Sequence, residues 1–168
     1  ESGSPRILGL IKKGTSISQI KNAFEYCRKD GLETCAFILI GAHPDETWED
    51  IALTKKLIKE IKPDYITPSI VTPYPGTELR KQMEERNLIF NNDWSNYGMY
   101  NALPQWRTTN FSSEDLLKIQ QKLIKNFYLK PGYIIKRLLK IRGIKELKYY
   151  TIAFLSLNKS IIQKKIEI

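Results

Sequence analysis

The sequence predicts an α/β fold in which parallel strands alternate with helices and a helical extension follows. Three observations support this class. Residues 35–40 form a short, isoleucine-rich run that is apolar at every position, as in a strand buried on both faces of a parallel sheet. Residues 65–72 form a second run of β-branched and aromatic residues. An amphipathic helix at about 48–61 lies between them, and this order predicts a right-handed crossover between parallel strands.

Two helices are predicted before the first strand. Pro5 suits the first turn of a short helix. Thr15 and Ser16 can cap a longer helix, and Gly31 is placed to end it. The apolar residues of the longer helix recur at spacings of three and four, which places them on one face: Ile17, Ile20, Phe24 and Cys27.

The connection after the first strand carries the strongest local signals. Gly41 ends the strand, Pro44 and Asp45 turn the chain, and Thr47 with Asp50 forms a capping-box pattern at the start of a helix. Ligands of such folds bind beyond the carboxyl ends of the strands, where a glycine lets the backbone approach a ligand closely. The alternative is that the glycine only makes the turn.

The second strand leads into a similar connection. Pro68 lies inside this strand and argues against a central, fully paired position. Residues 72–77 form a turn and 78–86 a short helix. Because the strands are expected to be parallel, the turns at 41–47 and 72–77 open on the same edge of the sheet. The turn at 1–4 joins them if a strand precedes it, and three converging turns define a candidate site.

The rest of the chain is predicted to be a loop followed by helices. Residues 89–111 lack periodicity and suit a functional cover or a linker. Ser112 with Asp115 caps one helix, Pro131 starts another, and 144–168 is predicted to be an amphipathic basic helix. We therefore divide the chain into a βα part at 1–90 and a loop with a helical extension at 91–168.

Composition narrows the function classes. The net charge is +9, but the lysines are scattered and no nucleic-acid-binding signature is present, so no nucleic-acid partner is expected. Cys27 and Cys35 form no CxxC pair and are expected to be buried thiols in the reducing cytoplasm. The last helix is expected either to pack on the protein or to make a peripheral membrane contact.

No catalytic set can be built from these residues. His43 is the one histidine, and its loop position suits a base, although a solvated or hydrogen-bonded loop histidine is the plainer interpretation. No Ser/His/Asp arrangement, phosphate-binding loop or zinc spacing is present. An alternative function is therefore a non-enzymatic α/β module whose basic helical tail binds an anionic membrane surface or a partner protein.

Three ordered segments resemble the radical S-adenosylmethionine superfamily. Residues 1–15 are similar to the turn after the fourth strand of its barrel, 38–47 to its fifth-strand motif and 72–79 to the turn after its sixth strand. The tail around 127–140 looks like that of the branch whose longer members carry an N-terminal cobalamin-binding domain.

The resemblance implies the C-terminal half of a partial TIM-like (βα) barrel. Such enzymes use a four-iron four-sulfur (4Fe–4S) cluster and S-adenosylmethionine to generate a 5′-deoxyadenosyl radical. The branch implies cobalamin and a methyltransferase or related oxidoreductase acting on an unknown substrate. The Cys-x3-Cys-x2-Cys loop that holds the cluster is absent, so the ligands are expected in a missing N-terminal half of the parent chain. This fragment alone is expected to be inactive.

The resemblance also assigns cofactor-binding residues, with no catalytic residue and no metal ligand in this chain. Glu1 and Ser2 match the end of the fourth strand, where a polar residue contacts the ribose or amino group of the cofactor. Lys13 matches a basic position that meets the methionyl carboxylate, unless it is only a solvated charge at a helix end. Phe37 and Gly41 match positions that face the adenosyl group.

Overall fold

The computed structural model of this chain describes residues 1–93, 97, 103–139, 141, 143, 148 and 152. It contains two compact units, Glu1–Phe127 and Tyr128–Ile168. The predicted division at residue 90 stays a prediction. The elements, in chain order, are α1 (Pro5–Leu10), α2 (Ile17–Lys29), β1 (Cys35–Ile40), α3 (Trp48–Ile61), β2 (Tyr65–Ile70), α4 (Glu78–Glu85), α5 (Ser113–Tyr128) and α6 (Pro131–Leu138).

The two strands pair in parallel, which confirms the predicted α/β class and the crossover through α3. Cys35 lies opposite Tyr65 at one end of the register, and Ile40 lies opposite Ile70 at the other. Both strands therefore end on the same edge of the sheet. The helical segments that follow fit a partial (βα) unit with a helical tail.

The two faces of β1 have opposite environments. Ala36, Ile38 and Ile40 are buried, whereas Cys35 and Phe37 are exposed. The prediction that this strand is buried on both faces is therefore wrong. The described residues pack on one face only, and successive side chains of a strand point to opposite faces. An apolar run alone does not show whether the second face has a covering layer.

Pro68 lies on an edge strand, in agreement with the sequence prediction. The Val71 N–H donates to the Ile40 carbonyl across the strand pair at 2.9 Å. Backbone groups alternate in direction along a parallel strand, so the backbone of Pro68 faces away from β1, where its missing N–H leaves no ladder bond unmade. The Gln120 side chain of α5 donates from Nε2 to the Pro68 carbonyl at 2.9 Å, so this outward-facing carbonyl has a hydrogen-bond partner.

The predicted cysteine environment is wrong. Both cysteines are free thiols, but Cys27 is only partly buried and Cys35 is exposed. Cys35 belongs to the open face of β1, and Cys27 lies on α2, which contains no fully buried residue. The apolar face predicted for α2 is nevertheless present, because its residues are the partly buried ones: Ile17, Ile20, Phe24 and Cys27.

α5 closes the first unit. Ser112 and Asp115 form the predicted cap, since the Asp115 N–H donates to Ser112 Oγ at 3.1 Å and Ser112 Oγ donates to Asp115 Oδ2 at 3.0 Å. Before this helix, Ile89 and Trp106 form an isolated antiparallel bridge. The buried apolar residues of this part of the chain are Trp106, Phe111, Leu116, Ile119 and Leu123.

The second unit is described mainly through α6. Its Arg137 is 5% exposed, donates from Nε to the Tyr133 hydroxyl at 3.2 Å, and lies 5.6 Å from the centre of that ring. The predicted helix at 144–168 lies outside the described residues, apart from Lys148 and Ile152. The longest described helix, α5, has 16 residues, and no helix among the described residues qualifies as a membrane span.

Candidate cofactor-binding site

The first residue of the chain is hydrogen-bonded to β1 near the carboxyl end of this strand. The Leu39 N–H donates to the Glu1 carbonyl at 2.8 Å, on the edge of β1 opposite to β2. Leu39 lies between Phe37 and Gly41, so Glu1 is held beside two of the other predicted site residues. The turn at 1–4 therefore lies near the carboxyl ends of the strands, where the sequence analysis placed it on the condition that a strand precedes it.

This first turn is fixed against α3 at close range. The Gly3 N–H donates to Thr54 Oγ1 at 2.9 Å, and the Ser2 and Thr54 hydroxyl oxygens lie 3.3 Å apart. A Cβ atom at Gly3 would lie 2.5 Å from the Leu53 carbonyl oxygen, so only glycine allows this approach. Ser2 is 1% exposed, and its hydroxyl takes part in this packing. Its assignment as a cofactor-binding residue stays a prediction.

Asp50 joins the first turn to the loop after β1. Ser4 Oγ donates to Asp50 Oδ1 at 2.6 Å, Thr47 Oγ1 donates to Asp50 Oδ2 at 2.8 Å, and Arg6 forms an ion pair with the same carboxylate. Burial alone would raise the pKa of Asp50, but these donors outweigh burial and lower the pKa to about 2. Asp50 is thus an ionised, buried anchor between α1 and α3.

Glu1 and Lys13 form an ion pair at the rim. Lys13 Nζ lies 2.7 Å from Glu1 Oε1, and the two side chains are 42% and 28% exposed. The structure therefore brings together two charges of opposite sign that are accessible to a ligand. The aminoacyl end of S-adenosylmethionine carries an ammonium and a carboxylate group, and this pair complements both. These residues fit the cofactor that the sequence resemblance implies.

Phe37 lies on β1, and Gly41 is the first residue after this strand, where the chain leads into the rim. The Phe37 side chain is 64% exposed and offers an apolar surface on the open face of the sheet. Gly41 has φ +68°, and a Cβ atom there would lie 3.2 Å from Leu116 Cδ2. The strand end thus requires glycine for its backbone conformation and leaves little space for a side chain. The contact of either residue with an adenosyl group stays a prediction.

Glu46 organises the loop that follows, although no pattern in the sequence marks it as a site residue. Its side chain is fully buried, and Oε2 accepts a hydrogen bond from the Gly41 N–H at 2.6 Å. Burial raises the pKa of Glu46 to about 7, although the Gly41 N–H opposes the shift. An acidic residue between a Pro-Asp turn and a helix cap is an ordinary surface pattern, so burial here could not be foreseen from the sequence.

His43 is part of the same turn. Its side chain is buried, and Nδ1 accepts a hydrogen bond from the Asp45 N–H at 3.1 Å. Burial lowers the pKa of His43, which favours the neutral ring. Asp45 in turn lies 2.5 Å from Nη1 of Arg86. The interpretation of His43 as a hydrogen-bonded loop residue is confirmed, and solvation of its ring is contradicted.

A covering segment at 106–116 lies on the loop at 41–47. The Thr109 N–H donates to the Pro44 carbonyl at 2.9 Å, and Asn110 Nδ2 donates to the Glu46 carbonyl at 3.0 Å. The rings of Phe111 and Trp48 make an edge-to-face contact, with centres 4.9 Å apart. Part of the region predicted to be a cover or linker therefore holds the strand-end loop in place.

Within the described part of the chain, no group of three or more histidine, cysteine, aspartate or glutamate side chains is placed to hold a metal ion. The features of the described residues that suit S-adenosylmethionine are the charged rim, the exposed phenylalanine and the glycine of the strand end.

The fold and the site together define an α/β chain with parallel strands and a candidate ligand site at their carboxyl ends. No protein-family model matches the chain. An uncharacterized methyltransferase of Pyrococcus horikoshii is 36% identical over 143 residues, which are 85% of this chain and 30% of the relative.

Two further relatives match shorter segments. A tRNA-2-methylthio-N(6)-dimethylallyladenosine synthase of Baumannia cicadellinicola is 34% identical over 50% of this chain and 19% of its own length. An anaerobic magnesium-protoporphyrin IX monomethyl ester cyclase of Rubrivivax gelatinosus is 26% identical over 58% of this chain and 17% of its own length.

These relatives are radical S-adenosylmethionine enzymes, and the resemblance predicted from the sequence is confirmed. This chain is similar to members of that superfamily, and at the level of the family the similarity implies S-adenosylmethionine and a 4Fe–4S cluster. The chain spans between 17% and 30% of the length of these three relatives.

Proposed function

We propose that this chain supplies part of the S-adenosylmethionine site of a radical enzyme that transfers a methyl or methylthio group. The single observation that carries the proposal is the Glu1–Lys13 pair, exposed at the edge where the parallel strands end. The names of the relatives support the reaction class, since they include a methyltransferase and a methylthio-forming synthase.

The residues of this chain would bind and orient the cofactor. Glu1 accepts hydrogen bonds from the ammonium group, and Lys13 donates to the carboxylate. The exposed ring of Phe37 offers an apolar surface to the adenosyl group, and the backbone at Gly41 allows close approach. When bound, the cluster and S-adenosylmethionine supply the radical chemistry.

The cluster ligands and the substrate site would come from outside this sequence. The sequence lacks the Cys-x3-Cys-x2-Cys loop that the resemblance leads us to expect for the cluster, and this is the ground for placing those ligands in another part of the parent protein. The resemblance of the tail supports the finer proposal of the cobalamin-associated branch. Cobalamin would then bind in a separate N-terminal domain, and the 168-residue chain alone is expected not to cleave S-adenosylmethionine.

Changing Lys13 to alanine tests the site. In the intact protein, we expect the dissociation constant for S-adenosylmethionine to rise about tenfold, because a charge-assisted hydrogen bond is lost. Lys13 is more than one-third exposed, and solvent screening places the effect at the lower end of the usual range. Calorimetric titration measures the affinity, and the melting temperature without ligand is expected to change little.

Two further variants make the test decisive. Lys13→Arg keeps the charge and is expected to recover most of the affinity. Lys12→Ala removes an exposed neighbouring lysine and is the matched control, for which we expect no change. An unchanged affinity in Lys13→Ala would refute the assignment of Lys13. A large fall in its unliganded stability would instead show a structural role.

A further inference from the structure

Glu46 places a carboxyl group in the interior, beside the end of β1 at Gly41. Oε2 accepts from the Gly41 N–H at 2.6 Å, while Oε1 has no hydrogen-bond partner among the described residues. The side chain is fully buried. A buried polar atom without a partner is costly, and such atoms are uncommon unless they serve a purpose.

The Glu46 carboxyl group is hydrogen-bonded to the backbone at Gly41. Gly41 is the first residue after β1 and has a positive φ, so no further ladder bond fixes its N–H. The Ala42 N–H adds a weaker favourable interaction with the same carboxyl group. Glu46 therefore replaces the missing strand partner and holds the strand end in one conformation.

We propose that Glu46 is a positioning residue for the cofactor, whose carboxyl group holds the Gly41 backbone in the binding conformation more firmly when ionised than when protonated. This inference rests on the proposed function of the site. An ionised carboxylate forms shorter and stronger hydrogen bonds to backbone N–H groups than a neutral carboxyl group does. The proton on Glu46 thus weakens the contact on which the strand end depends.

The surroundings of Glu46 allow it to titrate near neutral pH. Burial raises its pKa to about 7, and the nearby charge of Asp50 on α3 adds to the shift, while Arg6 on α1 opposes it. The residues of the covering segment that contact the loop carry no charge: Thr108, Thr109, Asn110 and Leu116. Two further titratable groups lie in the loop itself: burial lowers the pKa of His43, and the hydrogen bond from Arg86 lowers the pKa of Asp45. Both shifts move the titration of these groups away from the range in which Glu46 titrates, so the pH response of the loop is expected to follow Glu46.

The experiment measures the affinity of the intact protein for S-adenosylmethionine at pH 6 and pH 8. For the wild type, we expect a dissociation constant several-fold lower at pH 8, because Glu46 is then ionised. Glu46→Gln keeps a hydrogen-bond acceptor but cannot ionise, so its dissociation constant is expected to lose the difference between pH 6 and pH 8. The control variant Glu49→Ala is expected to keep that difference. Glu46→Ala is expected to weaken binding about tenfold at pH 8.

Hydrogen exchange of the backbone at Gly41 gives a readout without cofactor. We expect Glu46→Ala to speed exchange at Gly41 about tenfold after correction for intrinsic rates, with Glu46→Gln in between. Glu49→Ala, an exposed acid in the first turn of α3, is the matched control and should match the wild type.

The outcomes separate this inference from the proposed function. If the wild type binds S-adenosylmethionine and Glu46→Ala binds equally well at both pH values, the positioning role is wrong and the cofactor site stands. If the wild type does not bind the cofactor, the proposed function fails, and the role inferred for Glu46 falls with it. Slow exchange at Gly41 in Glu46→Ala would show that the carboxyl group does not hold the strand end.

Discussion

Replacing Asp50 with alanine is expected to lower the free energy of unfolding by about 3 kcal/mol, because the change removes both a helix cap and a buried charge. The carboxylate accepts from Ser4 and Thr47 and pairs with Arg6. The loss lies at the lower end of the range for buried ion pairs, since the Arg6 side chain is 47% exposed. Thermal unfolding should show a melting temperature roughly 6–12 °C lower.

Glu60→Ala on the same helix is the matched control. Glu60 Oε2 lies 2.7 Å from Lys21 Nζ, but both side chains are solvated, and loss of this pair is expected to change stability by less than about 1 kcal/mol. Equal effects of the two substitutions would contradict the anchor role of Asp50. Cys27→Ser serves as a further reference outside the network.

The contribution of Asp50 should also depend on pH. Its pKa is lowered from the model-compound value of 3.8 to about 2, so the folded state binds its proton less readily than the unfolded state does. The stabilisation is therefore fully present above pH 3.8 and is lost as the pH falls towards 2. Acid unfolding of Asp50→Asn is expected to lack this step, and a profile identical to that of the wild type would contradict the argument.

A chain ending at residue 90 is expected not to fold, whereas one ending at residue 127 should fold. The first compact unit extends to Phe127. Removal of 91–127 would take away five apolar side chains that are at most 5% exposed, namely Trp106, Phe111, Leu116, Ile119 and Leu123. Each contributes about 1.5–3 kcal/mol by burial, and their sum is comparable to the whole stability of a domain.

Circular dichroism and thermal unfolding of the two truncated chains measure this difference. The 1–127 chain is expected to show a cooperative transition, and the 1–90 chain none. A cooperative transition in the 1–90 chain would show that the βα part is an independent domain, as the division made from the sequence implies. The experiment thus also tests that division.

The local features of the fold could be predicted from the sequence. Thr47 and Asp50 form a cap because residues three apart meet at the start of a helix, and the two strands were visible as β-rich runs. The burial of Glu46 and the contact between Asn110 and the loop after β1 could not be predicted. They depend on residues 64 apart in the chain coming together, which no local pattern reports.

The charged rim is an intermediate case. Glu1 and Lys13 were named as cofactor residues through resemblance, and the structure places them 2.7 Å apart. The sequence could not show this distance, because it depends on how α1 folds back between them. The exposure of Phe37 was also hidden, since an apolar run looks the same whether one face of a strand is covered or both are.

Because of Pro68, the outer sides of β1 and β2 differ in their ability to pair with a further strand. On the outer side of β2, a proline offers no donor and its carbonyl is already bound by Gln120, so an added strand would find no regular ladder there. On the outer side of β1, the Leu39 N–H already pairs with backbone from another part of the chain. The outer side of β2 is therefore the poorer template for a regular ladder, and the backbone pairing seen beyond the two strands lies at the β1 edge, where Glu1 accepts from Leu39.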